Sequence, residues 1–525
     1  MKASMRSTKS RVPSAGPSKP RNESFQQRDI NGEDSTSSAS ARPSKRKHLN
    51  NDESEPRTAK KAKTEPQKRD VKPLHRNRVL EPALAPINQA PADVLSILVF
   101  GNGDAGELGL GTKVQEAARP RLNPFLDPEN PAALHIVQIA CGGMHTVALT
   151  RDNEIVTWGV NDNCALGRNT VWEGGLRDID GDPEEEGELN PLEATPTPIP
   201  ADSFPPKTKF VQVAAGDSCS FALTDTGDVY GWGTFKNAEG KEKFGYDEHG
   251  RVVQMQAAPT QIHKLRNITQ LACGANHALA LDANGIVWTW GCTEQNQLGR
   301  RTSGRHATDP LTPGVVNIRD IKVMACGDYH CLAVDKKGQV WAWGLNSFGE
   351  AGYAKAAGSD EVILPFPMRI PGLRRKGVVC LAGGAHHSAA VTADGRCFVW
   401  GRLDGGQLGI AFSPEQLQDT SLIRYDERNK PRICLRPTSV PGIGTVAHVA
   451  CGTDHTIFIT KEGSAYATGF NSQSQLGLGA DEDDVNVAQL IKGKAVKDRV
   501  LVWAGAGGQF SVVAARSPHQ GAGST

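Results

Sequence analysis

From about Val94 onward the chain is built from short runs in which apolar and polar residues alternate. HTVALT (145–150) and EIVTWG (154–159) show the pattern, and a period of two predicts a pair of strands joined by a tight turn. The same pair recurs behind a small residue, a Gly and, three positions on, a His: CGGMH (141–145), CGANH (273–277), CGDYH (326–330), GGAHH (383–387) and CGTDH (451–455). AGDSC (215–219) and AGGQF (506–510) are degenerate copies. Eleven residues after the first six leading glycines stand Asn153, Gly227, Gly285, Gly338, Gly395 and Gly463. Glycine and asparagine at one register predict a left-handed turn position in a hairpin.

Two further signals keep step with the hairpins. A Gly, usually behind Trp, follows seventeen residues after the leading Gly (Gly159, Gly233, Gly291, Gly344, Gly401, Gly469), and a second Gly, usually behind Leu, comes eight later. In the third copy that interval stretches to twelve, from Gly233 to Gly245, so KNAEGKEK carries an insertion. Rigid hairpins with connections of variable length predict propeller blades, and 94–516 divided among seven repeats gives about 60 residues each. LVFGNGDAGELGLG (98–111) has only the later half of a unit, and VWAGAGGQFSVVAA (502–515) only the leading half. The expected fold is all-β, a seven-bladed β-propeller closed by strands from both ends, a closure that leaves no long free sheet edge.

Charge changes the picture ahead of the ring. The whole chain of 525 residues sums to +1, yet residues 1–80 hold 20 Lys and Arg against 9 Asp and Glu, a net +11. The remainder holds 39 against 49, a net −10. The tail has Phe25 as its single aromatic and is crowded with Ser and Pro, so it is expected to be disordered. The organisation read from this is a basic tail (1–93), a propeller (94–516) and a disordered C-terminal segment (517–525). Lys45, Arg46 and Lys47, then Lys60, Lys61 and Lys63 after a twelve-residue spacer, have the form of a bipartite nuclear import signal that importin-α would read. The same cations can hold DNA phosphates without sequence preference. The longest apolar run, Val94–Phe100, is too short to cross a bilayer, so no membrane partner is expected. Eleven cysteines without a CxxC pair suit a reducing compartment, and no metal or cofactor is expected. Gly101, Gly103 and Gly106 satisfy GxGxxG but precede repeat sequence rather than a helix, and no P-loop, HExxH or GxSxG pattern occurs.

The repeat, best seen in CGGMHTVALTRDNEIVTWGVNDNCALGR (141–168) and CGANHALALDANGIVWTWGCTEQNQLGR (273–300), resembles the regulator of chromosome condensation family of seven-bladed propellers. The resemblance covers about 420 residues and is nearest to the family's chromatin-bound exchange factor for the small GTPase Ran, since no room is left for a ligase or kinase domain and a basic tail precedes the ring. It implies guanine nucleotide exchange without covalent chemistry, acting on chromatin in the nucleus. The alternative is a chromatin- or ubiquitin-associated scaffold without exchange activity.

By the same resemblance Asp217, in AAGDSCSFAL, is the residue important for exchange, His386 of GGAHH contacts the GTPase, and Asp104 of GNGDAGELG lies on the interaction rim. Arg168, Asn169, Thr170, Val171, Trp172 and Glu173, just after ALGR, match a wedge pushed against the GTPase nucleotide site. The part from 172 to 193 holds nine acidic residues. Arg251, in the 236–255 loop, is the implied anchor for the acidic patch that histones present on the nucleosome, because a guanidinium pairs bidentately with carboxylates. Phe510 stands where the family has a further His. The repeat histidines, the cysteines Cys141, Cys273, Cys326 and Cys451, and the register tryptophans are expected to be structural.

Overall fold

A computed structural model describes residues 85–517, apart from 175–187, 306, 356, 360–361 and 480–483. The chain divides after Leu80 into two units. The first unit, with the import-signal residues Lys45, Arg46, Lys47, Lys60, Lys61 and Lys63, lies outside the described residues, as do 518–525.

Among the described residues, seven antiparallel sheets of four or five strands follow one another as blades. Blade 1 spans 136–198, blade 2 210–261, blade 3 268–315, blade 4 321–369, blade 5 378–439 and blade 6 446–490. Blade 7 joins the two ends of the fold: strands Leu501–Ala506 and Phe510–Arg516 pair with Leu95–Asn102 and Glu116–Leu122. Leu98 faces Val513 and Gly101 faces Phe510 across the seam. The strand Leu95–Asn102 is buried along almost its whole length, as a strand paired on both sides requires. The ordered chain begins before that seam. Asn88 donates its side-chain amide to the carbonyls of Thr224 and Ile268, so residues assigned to the tail by composition already grip blades 2 and 3.

The turn register behaves as its residues dictate. Asn153 has φ 69°, and Gly227, Gly285, Gly338, Gly395 and Gly463 lie between 74° and 88°. The insertion in blade 2 folds into a small hairpin of its own, Phe235–Lys236 against Glu242–Lys243, followed by a second, Gly245–Tyr246 against Val252–Val253.

Neighbouring blades are joined by a repeated clamp. Blade 1 presents His145, whose Nε2 lies 2.8 Å from Ser220 Oγ of blade 2. Ser220 donates to the carbonyl of Ala165 in blade 1, and that carbonyl also accepts the Trp232 indole N–H of blade 2 at 2.8 Å. The Trp232 ring in turn lies over Gly167, where any Cβ would fall 2.7 Å from the indole. The same clamp joins blades 4 and 5 through His330, Ser388, the Glu350 carbonyl and Trp400. Between blades 3 and 4 it runs through His277, Cys331, the Gln297 carbonyl and Trp343. His387 meets Thr456, which donates to Gln407, and His455 meets Ser511, which donates to Gln475.

The hydroxyl has one proton and gives it to the carbonyl, so the imidazole must be the Nε2–H tautomer. Nδ1 of all five clamp histidines is buried without a partner. In four of them burial keeps the ring neutral and lowers the pKa, to about 4 for His145 and His455 and about 3 for His330 and His387. Two junctions lack the imidazole. At the blade 2–3 junction the two positions hold Cys219 and Ala278, members of one hydrophobic cluster, and Ala278 needs no partner; at the blade 7–1 junction Phe510 takes the imidazole's position and the buried Thr146 hydroxyl makes no hydrogen bond.

Replacing Ser388 by Ala strands both the His330 Nε2–H and half of the Glu350 carbonyl's bonding. The expected cost is about 1–3 kcal/mol in equilibrium urea unfolding, whereas Cys331→Ser, which copies the neighbouring junctions, should leave the midpoint unchanged within about 0.5 kcal/mol. Equal midpoints for the two variants would remove the clamp as a stabilising element.

Candidate functional site

The loops between the first two strands of each blade meet at one mouth of the axial channel and are stitched by main-chain hydrogen bonds. Gly143 N–H donates to Gly216, Asp217 to Ala275, Ala275 to Asp328, Asp328 to Gly384, Ala385 to Thr453 and Gly508 to Gly143. Each loop carries two residues that the hairpin pattern leaves free to vary, so the mouth becomes a ring of chosen side chains on a rigid frame. Asp217, Asp328, Asp454 and His386 all occupy such positions.

Asp217 is exposed at this mouth and lines a basin of about 550 Å³ with Glu107, Asp162, Lys236, Asp454 and Gln509. The surrounding protein withdraws water from its carboxyl and raises the pKa. Asp328 is driven further, to about 7, first by desolvation and then by the charge of Asp217. Asp454 is already engaged: Gln407 donates to it at 2.9 Å and Arg402 lies 3.4 Å away. Four carboxyl groups around one basin, with Lys236 as the one cation lining it among the described residues, make a face suited to a cationic partner surface.

His386 stands apart from this basin. Its Nδ1 is 3.5 Å from the buried Glu350 carboxylate, and its ring packs 4.7 Å from Phe348 and 6.3 Å from Tyr329. Asp104 is half-buried and held in its loop by Asn102, which accepts from its N–H at 2.7 Å and donates to its carboxylate.

The segment 168–173 divides in two. Arg168 is buried, giving its guanidinium to Thr157 and to the Leu192 carbonyl, and desolvation lowers its pKa to about 10. Thr170 is buried as well, donating to Glu193 at 2.6 Å and accepting from Asn190 through its carbonyl. These two bracket the base of the loop. Asn169, Val171 and Glu173 are exposed and Trp172 half-buried, Val171 most of all at 79%. The acidic stretch that follows, 175–187, lies outside the described residues. Arg251 sits in a separate groove beside blade 2, its Nε 2.8 Å from Asp247, so its guanidinium is held by a carboxylate of its own chain.

Residues 96–513 match the model of the RCC1-like domain, nearly the whole described fold. The chain belongs to the RCC1-like domain family. The Guanine nucleotide exchange factor SRM1 of Saccharomyces cerevisiae is 39% identical over 429 residues, covering 80% of this chain and 86% of that protein. The crystal structure of Prp20p from Saccharomyces cerevisiae, described with its binding properties to Gsp1p and histones, superposes with TM-score 0.72 at 36% identity, covering 82% of this chain and 94% of that one. Yeast RCC1 (Prp20) bound to Kap60 superposes equally well, at 0.72 and 36%, covering 86% and 97%. The resemblance read from the repeats is thus a family relationship.

Within this RCC1-like ring, sequence reasoning passed over Glu107. It occupies the position before Leu-Gly that holds Gln in three other units (Gln297, Gln407, Gln475), and it is only 3% exposed. Its carboxylate accepts from the Ala105 N–H at 2.9 Å, yet desolvation raises its pKa to about 7. A carboxyl whose folded pKa exceeds its unfolded one stabilises the fold below the unfolded value and loses that contribution as pH rises through the folded value. Glu107→Gln should therefore gain about 1–3 kcal/mol over the parent at pH 8 and match it near pH 5 in chemical denaturation. A gain of equal size at both pH values would rule out the buried charge as its cause.

Proposed function

We propose that this chain is a guanine nucleotide exchange factor for Ran, acting on chromatin in the nucleus. What carries the reading is the conjunction of an RCC1-like ring, related over most of its length to a protein named as an exchange factor, with a rigid acidic mouth that displays Asp217. Exchange of this kind makes and breaks no covalent bond. The propeller binds the GTPase more tightly when its nucleotide site is empty, and by linkage that preference speeds GDP release until incoming GTP displaces the propeller. A ring stitched through its main chain spends little ordering entropy on binding.

In this scheme Asp217 and its neighbours offer carboxylates to cationic groups that otherwise hold nucleotide phosphate. Val171 and Trp172 supply the apolar tip of the wedge, with Asn169 and Glu173 beside it and Arg168 and Thr170 as its foundation. His386 and Asp104 extend the contact beyond the basin. The basic tail engages importin-α through Lys45, Arg46, Lys47, Lys60, Lys61 and Lys63 and holds DNA phosphates, in keeping with the yeast relative's complex with Kap60. Arg251 meets the histone acidic patch of the nucleosome by exchanging Asp247 for a histone carboxylate; the yeast relative is described with histone-binding properties.

Release of labelled GDP from purified Ran tests the exchange reading. The full chain should raise the rate by orders of magnitude, and Asp217→Ala should lower the stimulated rate about tenfold or more, roughly 1.4 kcal/mol in the barrier. No stimulation by the parent chain would end the exchange reading; an unimpaired Asp217→Ala would end the role of that residue alone.

Removal of residues 1–80 should leave exchange intact and abolish the steep salt dependence of DNA binding, read by fluorescence anisotropy at two ionic strengths. Unchanged DNA affinity in the truncated chain would move that function to the propeller.

A further inference from the structure

The clamp between blades 3 and 4 differs from the others in its chemistry. At each junction that carries the imidazole three positions come together: the clamp imidazole, the hydroxyl or thiol that it meets, and the residue opposite that group on the innermost strand. Blades 5 and 6 bring together His387, Thr456 and Cys451; blades 4 and 5 bring His330, Ser388 and Gly383; blades 1 and 2 bring His145, Ser220 and Ala215. Blades 3 and 4 bring His277, Cys331 and Cys326, two thiols and an imidazole, where the other junctions with an imidazole have at most one thiol; the blade 2–3 junction has two thiols, Cys219 and Cys273, but no imidazole.

We propose that His277, Cys326 and Cys331 form a binding site for a thiophilic metal ion of the zinc(II) type, with a fourth coordination position open toward the axial channel. One imidazole nitrogen and the two Sγ atoms all lie within 4.8 Å of one another, and His277 Nε2 is 3.0 Å from Cys331 Sγ. One imidazole and two sulfurs are the donor set that borderline and soft ions select. His277 and Cys331 are buried, while Cys326 borders the channel of about 120 Å³ along with Cys141, Cys273 and Cys451, which supplies an entry path. On binding, each thiol releases its proton to water and donates a sulfur lone pair to the ion, and His277 gives its Nε2 lone pair after its proton moves to Nδ1. That nitrogen makes no hydrogen bond in the clamp, so the shift breaks no contact there.

The hydrogen bond between His277 and Cys331 also serves the clamp, and the neighbouring junctions provide the control. Cys331→Thr copies the His387–Thr456–Cys451 arrangement, so it should keep the junction and the melting temperature while removing one ligand. Cys326→Ala copies the Ala215 junction. Cys380, 3.9 Å from His448, is another thiol–imidazole contact and should not contribute.

The experiment titrates the reduced, chelator-treated full chain with cobalt(II) as the probe, followed by zinc(II). The expected result is one equivalent giving a near-ultraviolet sulfur-to-cobalt band that zinc displaces. Cys326→Ala and Cys331→Thr should each weaken cobalt binding at least tenfold without loss of fold, and Cys380→Ser should leave it unchanged. The proposal is overturned by absence of the band in the parent chain, by its survival in both Cys326→Ala and Cys331→Thr, or by its loss in Cys380→Ser.

Discussion

A shared carbonyl oxygen ties neighbouring blades at six of the seven junctions. The residue before the Leu-Gly turn, or its equivalent, offers its C=O to the next blade, which answers with a hydroxyl or thiol at five junctions and with an indole N–H at four. The clamp imidazole completes the set by donating to that hydroxyl. Because these groups are buried, leaving any of them unpaired is costly, and the geometry that satisfies all of them admits one spacing and one tilt between blades. Where the chemistry changes, it changes on both sides of the junction: Cys219 and Ala278 stand in one hydrophobic cluster in place of imidazole and hydroxyl, and Trp290, beside the inserted hairpins of blade 2, packs edge-on to Phe221 at 5.4 Å instead of over a Leu-Gly turn. The blade 7 to blade 1 junction is the exception, with Phe510 beside an unanswered Thr146.

That constraint explains how a face with so much acidic character is held without being loose. The loops at the channel mouth are pinned on the inside by the clamps and to one another by main-chain hydrogen bonds, so Asp217 and Asp328 are held near each other despite their repulsion. Loss of water raises the pKa of both, and of Glu107 beneath the basin, and the charge of Asp217 adds to the rise at Asp328. A partner that brings cations to this mouth relieves the strain, which gives binding a driving force available before any loop has to move.

The parts of the site differ in how far they can be read along the chain. Asp217, His386 and Asp104 stand at register positions that the repeat marks, and the family motif picks them out. Glu107 escapes because its character comes from burial under a basin built by blades 1, 2, 6 and 7, and no local signal separates it from the glutamines of its register. Arg168 and Thr170 show the opposite limit. They lie in a segment matched to a wedge, yet Leu192, Glu193 and Asn190 turn them inward, and only the exposed Asn169, Val171 and Glu173 and the half-buried Trp172 face outward.

Local order was written into the residues themselves: period-two strands, left-handed glycines at the hairpin turns, seven repeats, and half-units at the two ends that can close only on each other. These features depend on neighbours a few positions apart, where backbone sterics and side-chain alternation decide the outcome. Tertiary structure alone decided which imidazole answers which hydroxyl, which carboxyls lose their water, and which thiols meet. Those contacts join residues 54 to 75 positions apart across blade junctions, and they exist only once the ring has closed.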